Sequence, residues 1–239
     1  MDKKPSISVF FPAYNDEGTI ASMVIKTIAV LKELTDDYEI MVIDDCSPDN
    51  SGKIADELAR KYKEVKVIHH NQNKGYGGAL KSGFNAATKE LVFYTDGDAQ
   101  YDVLEIKKLL PLMTKDVDLV NGYKLNRADL LRRIVLGRMY HYGTKILFNL
   151  KVKDVDCDFR LIRKKVFDKV KLKSNSGLIC VEMIRKIQDA NFKIKQIGVH
   201  HYWRAHGKSQ FFNVKRIRRT LLNMLKLWWT LVVLKNKDA

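Results

Sequence analysis

Five apolar runs of strand length recur in the first half of the chain: ISVFFPAYN, YEIMVIDD, VKVIHH, ELVFYTD and VDLVNGY. Their starts lie roughly 25–30 residues apart, the size of a strand–helix–strand unit. The stretches between them read as helices. In EGTIASMVIKTIAVLKEL, Ile20, Val24, Ile28 and Leu31 fall at helical spacing, while SGKIADELARKY, GGALKSGFNAAT and DVLEIKKLLPLM fill the other gaps. Strands that are apolar along their whole length must be covered on both faces, which points to a parallel sheet wound with helices. The expected fold is therefore α/β, a Rossmann-like, mostly parallel sheet flanked by helices. Ligands gather at the carboxyl ends of such strands. The polar clusters YNDE, DDCSPDN and TDGDAQ follow the first, second and fourth runs.

The second half is less regular. CDFRLIRK and FKIKQIGVHHYW read as further strands and GLICVEMIRKIQDAN as a helix. Residues 128–150 read as a helix with Leu131, Val135, Met139, Tyr142 and Ile146 in one stripe among Arg132, Arg133, Arg138 and Lys145. Residues 211–234 read as a basic, amphipathic helix carrying Trp228 and Trp229. The longest clean apolar run there, LWWTLVVL, is far short of the about 20 residues a spanning helix needs, so this helix is expected to lie in a membrane interface. Three scattered cysteines and no leader-like N-terminus suggest a reducing compartment.

Charge is distributed unevenly. Residues 1–126 hold 16 Lys and Arg against 20 Asp and Glu, whereas residues 127–239 hold 27 against 8. The net +15 therefore resides in the second half, which would be drawn to an anionic surface. No recognised nucleic-acid signature accompanies it.

Asp96 and Asp98 stand at the mouth of the fourth apolar run. In extended chain, residues i and i+2 point the same way, and Gly97 leaves space between them. Two close carboxylates repel unless one holds a proton or a cation sits between them. Mg²⁺ takes one or two carboxylates and completes its shell with water and substrate phosphates. Gln100, again two residues on, would add a carbonyl oxygen. A solvated acidic turn is the plain alternative, against which the placement directly after a buried strand argues.

Taken in order, PAYNDEGTI, VIDDCSPDNSG, NKGYGGALKSG, TDGDAQY, DVDCDFRLIRK and VHHYWRAHGKSQF resemble the family 2 glycosyltransferases of GT-A fold. Within them the similarity is to the dolichyl-phosphate mannosyltransferase and polyprenyl-phosphate glycosyltransferase group. It covers nearly the whole chain and implies a single GT-A domain over residues 1–239. Residues 1–126 would form the nucleotide-sugar and metal half, 127–210 the acceptor half and 211–239 the tail helix. It implies a GDP- or UDP-linked sugar donor, Mg²⁺ or Mn²⁺, a polyprenyl phosphate acceptor and inversion at the sugar carbon. Pro12, Tyr14, Asp16 and Glu17 match the donor-nucleotide segment, although Asp16 stands where the family usually has Glu. Asp44 and Asp45 match carboxylates facing base and ribose. Asp96, Asp98 and Gln100 match the metal motif, and Arg160 matches the basic residue that meets the acceptor phosphate. The family usually has Gly or Ala where this chain has Asp158.

The remaining motifs have both local and functional readings. A carboxylate in YNDE can cap a helix or bind a base. Ser47-Pro48-Asp49-Asn50 reads as an ordinary turn and GYGG as a turn entering a helix, since it lacks the GK[ST] ending of a phosphate loop. His200 and His201 alternate along a strand and so do not share an ion. Arg204 and Lys208 are expected to meet the donor diphosphate. Glu182 is expected to be a buried or pocket acid. A phosphate acceptor needs no base, because its second pKa is about 6; a hydroxyl acceptor would need one, from Asp158 or Glu182. These features predict an enzyme on the cytoplasmic face of a membrane, peripheral and held by basic residues such as Lys215 to Arg219, with a membrane partner subunit left open. The rivals are a glycosyltransferase with a hydroxyl acceptor and a non-catalytic basic module that binds membrane or nucleic acid.

Overall fold

The structure is a computed structural model and describes residues 4–125, 131–204, 206 and 214–235, without the side chains of 131–136, 138 and 214–218. Seven strands form one sheet in the order β3-β2-β1-β4-β6-β5-β7. They are β1 (Ile7–Ala13), β2 (Tyr38–Asp44), β3 (Val65–His69), β4 (Leu91–Thr95), β5 (Leu119–Lys124), β6 (Phe159–Arg163) and β7 (Ile194–Val199). The first four are mutually parallel, β6 runs antiparallel between β4 and β5, and β7 is parallel to β5. The helices are α1 (Ile20–Leu34), α2 (Ser51–Lys61), α3 (Tyr76–Ala86), the single turn α4 (Ile106–Leu109), α5 (Leu131–Leu147), the single turn α6 (Val166–Lys169), α7 (Ile179–Asp189) and α8 (Val214–Trp228). The α/β sheet expected from the strand spacing is present. DVLEIKKLLPLM is not one helix, however: 3-10 turns flank α4, with Pro111 in the second of them.

Every residue of β1 is buried, which accounts for its unbroken apolar run. Ile7, Val9 and Phe11 pack on the face that carries α1 and α2, while Phe10 packs on the other with Tyr94, Phe84 of α3 and Ile184 of α7. Each such side chain contributes roughly 1.5–3 kcal/mol when fully buried. Gly83 is obligatory at the second face, because a Cβ there would lie 2.4 Å from the Phe10 ring.

The chain winds outward from β1 through β2 to β3, then returns to place β4 on the other side of β1. That reversal is a topological switch point, where the loops after adjacent strands diverge and leave a crevice. Ala13 pairs with Asp44 and Phe10 with Tyr94, so the polar clusters after β1, β2 and β4 emerge together at one sheet edge. The two halves suggested by charge are not separate bodies. β6, from the basic half, inserts between β4 and β5 and brings Arg160 directly opposite Tyr94 and Asn121.

Candidate active site

The loop after β1 is sewn to the loop after β2. Asn15, Asp16 and Glu17 donate backbone N–H groups to Ser47 Oγ, Ser51 Oγ and Asp49 Oδ2 at 2.8, 2.9 and 3.0 Å. In return the Glu17 carboxylate accepts from the Asn50 backbone N–H at 3.0 Å. Ser47 to Asn50 is therefore not an ordinary turn: its side chains hold YNDE in place. The alternation Ser47, Asp49, Ser51 was the available signal, three short oxygen-bearing side chains on one side of a turn.

Several residues expected at the donor are committed to the scaffold. Asp44 accepts from Ser47 N at 2.9 Å and pairs with His69 Nδ1 at 2.8 Å. Its hydrogen bond, followed by that to Asp56, raises the His69 pKa. Asp45 accepts from His70 Nδ1 at 2.6 Å, Lys74 N at 2.7 Å and Gly75 N at 2.9 Å, and His70 Nε2 reaches Ser82 Oγ at 2.8 Å. Buried anions need donors, and for these two carboxylates their own loops supply several. Glu17 is likewise occupied at the start of α2. Pro12 is buried and its carbonyl accepts from Gly97 N at 3.3 Å, whereas Tyr14 is half-exposed at the crevice rim.

Asp16, Asp96 and Asp98 do come together. Burial raises the Asp16 pKa to about 6, opposed by the Tyr14 N–H it accepts and reinforced by the charge of Asp98. Burial also pushes Asp96 well above the usual range, helped by the charges of Asp158 and Asp98, while the Tyr76 hydroxyl donates to Oδ1 at 2.8 Å and works against it. Asp98 is raised by burial and pulled back by Arg204, whose guanidinium forms a short ion pair with Oδ2. Three crowded acids whose charged forms are disfavoured make a site that lacks positive charge. Arg204 already supplies one cation there from the chain itself. Asp96 and Asp98 therefore fit a divalent ion in donor type and electrostatics. Gln100 ties the segment after β7 to this motif: its side-chain Nε2 donates to the Tyr202 carbonyl at 3.1 Å, and its backbone carbonyl accepts from Tyr202 N at 2.8 Å.

Arg160 is enclosed where β6 meets β4 and β5. It is 0% exposed. Nε donates to Asn121 Oδ1 at 2.6 Å, and Nη2 donates to the Val155 carbonyl. Nη1 reaches Asp158 Oδ1 at 3.0 Å and the Tyr94 hydroxyl. In this conformation no fork of donors is presented to an acceptor. Glu182 is a structural acid that accepts from Lys173 N and Ser174 N at 2.9 and 2.8 Å and pairs with Lys186 at 3.0 Å, so it is removed as a candidate base. His200 pairs with Glu105 while His201 packs on Tyr101, facing apart as their alternation suggested. Lys208 lies outside the described residues. His141, Asp154 and Asp156 bring ligand atoms within 4.8 Å of one another, but Lys124 Nζ stands 3.3 Å from Asp154, so that acid group already holds a cation.

Sequence reasoning missed Tyr76. Its place in GYGG suggested only a turn, and Gly75 at φ +78° does make one. What could not be seen is that the first residue of α3 aims its hydroxyl at Asp96.

Comparison with known proteins agrees with this architecture. One similar solved structure is glucosyl-3-phosphoglycerate synthase from Mycobacterium tuberculosis, in complex with Mn²⁺, uridine diphosphate and phosphoglyceric acid. It superposes with a TM-score of 0.69 at 19% identity, covering 94% of this chain and 78% of that one. The chain is 27% identical over 236 residues to glycosyltransferase AglD of Haloferax volcanii, which spans 95% of this chain and 38% of the relative. It is 31% identical over 168 residues to undecaprenyl-phosphate 4-deoxy-4-formamido-L-arabinose transferase of Proteus mirabilis, 70% of this chain and 52% of the relative. The chain thus spans between about a third and a half of these two curated relatives. The family model described as glycosyl transferase family 2 matches residues 8–171, the stretch from β1 past β6 that carries Asp16, Asp96, Asp98 and Arg160. This chain belongs to glycosyl transferase family 2.

Proposed function

We propose that the protein moves a hexose from a nucleotide-sugar donor to a polyprenyl phosphate at a membrane surface. The observation that carries this reading is the convergence of Asp16, Asp96 and Asp98 at the switch-point crevice, with Arg204 already neutralising one of them. Undecaprenyl-phosphate transferases among the relatives support the acceptor, and a uridine diphosphate complex of a structural neighbour supports the donor. Mannosyl transfer to a dolichyl-type lipid remains part of the proposal, as does the single catalytic domain.

Asp96 and Asp98 would hold the divalent ion, Mg²⁺ or Mn²⁺, whose chemistry is to offset charge on a departing nucleoside diphosphate. Tyr76 holds Asp96 in position. Tyr14, which is exposed, would cover the nucleobase. Arg204, released from Asp98, and Lys208 would meet the diphosphate. An acceptor phosphate oxygen bonds to the anomeric carbon as the bond to the diphosphate breaks on the opposite side, and the electron pair leaves with the nucleoside diphosphate. The acceptor is already anionic at neutral pH, so no base is required and catalysis rests on positioning and charge stabilisation.

The surface suits a lipid-borne acceptor. Met139, Tyr142 and Ile146 of α5 point outward, 59–78% exposed, so these three side chains do not pack on the core. Leu221, Leu222 and Leu225 of α8 and Trp229 beyond it are exposed too, on a segment with Arg219 and Lys226. No helix among the described residues is long and apolar enough to cross a membrane. A hydroxyl acceptor is a second reading, favoured by the Asp158 carboxylate standing between Arg160 and the crevice.

Incubation with radiolabelled nucleotide sugars, Mn²⁺ and undecaprenyl phosphate tests the proposal. Label entering the lipid phase is the expected result. Turnover only to hydroxyl acceptors would overturn it.

A further inference from the structure

Asp158 occupies a position with an unusual set of neighbours. Its Oδ1 accepts from Arg160 Nη1 at 3.0 Å and Cys180 Sγ at 3.1 Å, and lies 3.4 Å from the Tyr94 hydroxyl. Arg160 beneath it is fully enclosed, while the Asp158 side chain is 15% exposed. The carboxylate therefore stands between a buried guanidinium and the crevice. On the other side its charge is felt at Asp96, where it is the largest influence after burial.

A buried guanidinium is costly unless its donors are met. Arg160 satisfies Nε and Nη2 through Asn121 and Val155, which belong to the scaffold of the sheet. Nη1 is the end that turns toward Asp158. A phosphate oxygen carries the same charge and hydrogen-bonds in the same way as a carboxylate oxygen. The anion that Arg160 holds in the free protein is thus of the kind that an acceptor phosphate would present, and it belongs to the chain itself.

We propose that Asp158 is the acceptor-selecting residue of this enzyme, an internal stand-in for the acceptor phosphate at Arg160. This rests on the phosphate-acceptor reading above. Binding the acceptor is an exchange of anions: the phosphate takes Nη1, and Asp158 turns away from it. Asp158 acts through Arg160 and is a positioning residue rather than a catalytic one. The exchange makes acceptor binding weaker than a vacant Arg160 would give. It also disfavours small anions, which bring no lipid contacts to offset the loss of the Asp158 pair.

The test is Asp158→Asn, which keeps an oxygen for Arg160 and Cys180 while removing the charge. Asp158→Gly is a second variant, and circular dichroism reports folding of each. Calorimetry with farnesyl phosphate is the readout independent of turnover. Binding by Asp158→Asn is expected to tighten about tenfold, the worth of one charged hydrogen bond. In kinetics with undecaprenyl phosphate, the acceptor KM is expected to fall and kcat/KM to rise by a similar factor. Unchanged farnesyl phosphate affinity in folded Asp158→Asn would overturn the proposal. So would a collapse of kcat by a hundredfold or more (roughly what loss of a proton acceptor costs), since Asp158 would then be the base for a hydroxyl acceptor. If the wild type labels no lipid yet farnesyl phosphate binding still tightens in the variant, the acceptor assignment fails while the anion exchange stands.

Discussion

Asp16 gives the sharpest test of how the crevice is built. Burial, aided by the charges of Asp98 and Asp49, raises its pKa from 3.8 to about 6. A carboxyl whose pKa rises on folding favours the folded state at low pH. That contribution is complete below about pH 3.8 and is lost as pH rises through about 6. At about 1.4 kcal/mol for each tenfold change in proton affinity, keeping Asp16 ionised at pH 7.5 costs the folded protein about 3 kcal/mol. Asp16→Asn removes that cost and keeps an oxygen to accept from Tyr14 N. In EDTA at pH 7.5 the variant is therefore expected to be more stable than the wild type by up to about 3 kcal/mol. For a domain of this size that is a rise of about 6–12 °C in Tm. At pH 4 the gain should almost vanish, because wild-type Asp16 is then protonated when folded. Urea denaturation across pH 4 to 8 measures it. A stability difference that does not depend on pH, or a variant less stable at pH 7.5, would refute the electrostatic account. The same variant should lose cation-dependent affinity for nucleoside diphosphate, since the crowding that costs stability is what makes the crevice receptive to positive charge.

Arg204→Ala removes the chain's own cation from Asp98, so Mn²⁺ alone should bind roughly three- to tenfold tighter, measured by electron paramagnetic resonance, while Mn²⁺ with uridine diphosphate binds more weakly. If both move the same way, Arg204 does not serve both partners. Glu182→Ala breaks the buried ion pair with Lys186 and removes the acceptor of the Lys173 and Ser174 N–H groups, and should cost about 3–5 kcal/mol in urea unfolding. A stable but inactive Glu182→Ala would instead revive Glu182 as a base. Changing Lys215, Arg216, Arg218 and Arg219 together to Glu should release the protein from acidic liposomes, with each charge worth about 1 kcal/mol near such a surface. Unchanged cosedimentation would show that this helix does not hold the protein there.

Strand order was legible in the linear chain, because apolar runs at a fixed spacing can be buried in few ways, and β1 to β5 lie where those runs fall. The sequence also marked Asp96 and Asp98, since two carboxylates at the end of a buried strand are conspicuous in one dimension. It could not assign the acids within each cluster. Asp16, Asp44 and Asp45 look equivalent as letters, yet the neighbours met across the sheet edge leave Asp16 beside Asp98 and bind Asp44 and Asp45 into loops. Arg160 shows the same limit. Only the insertion of β6 between β4 and β5 encloses it, and only its register with Tyr94 and Asn121 settles which donors remain near the crevice. Periodicity follows from how one segment buries itself, but a side chain's role follows from partners distant in sequence, and those are decided when the sheet assembles.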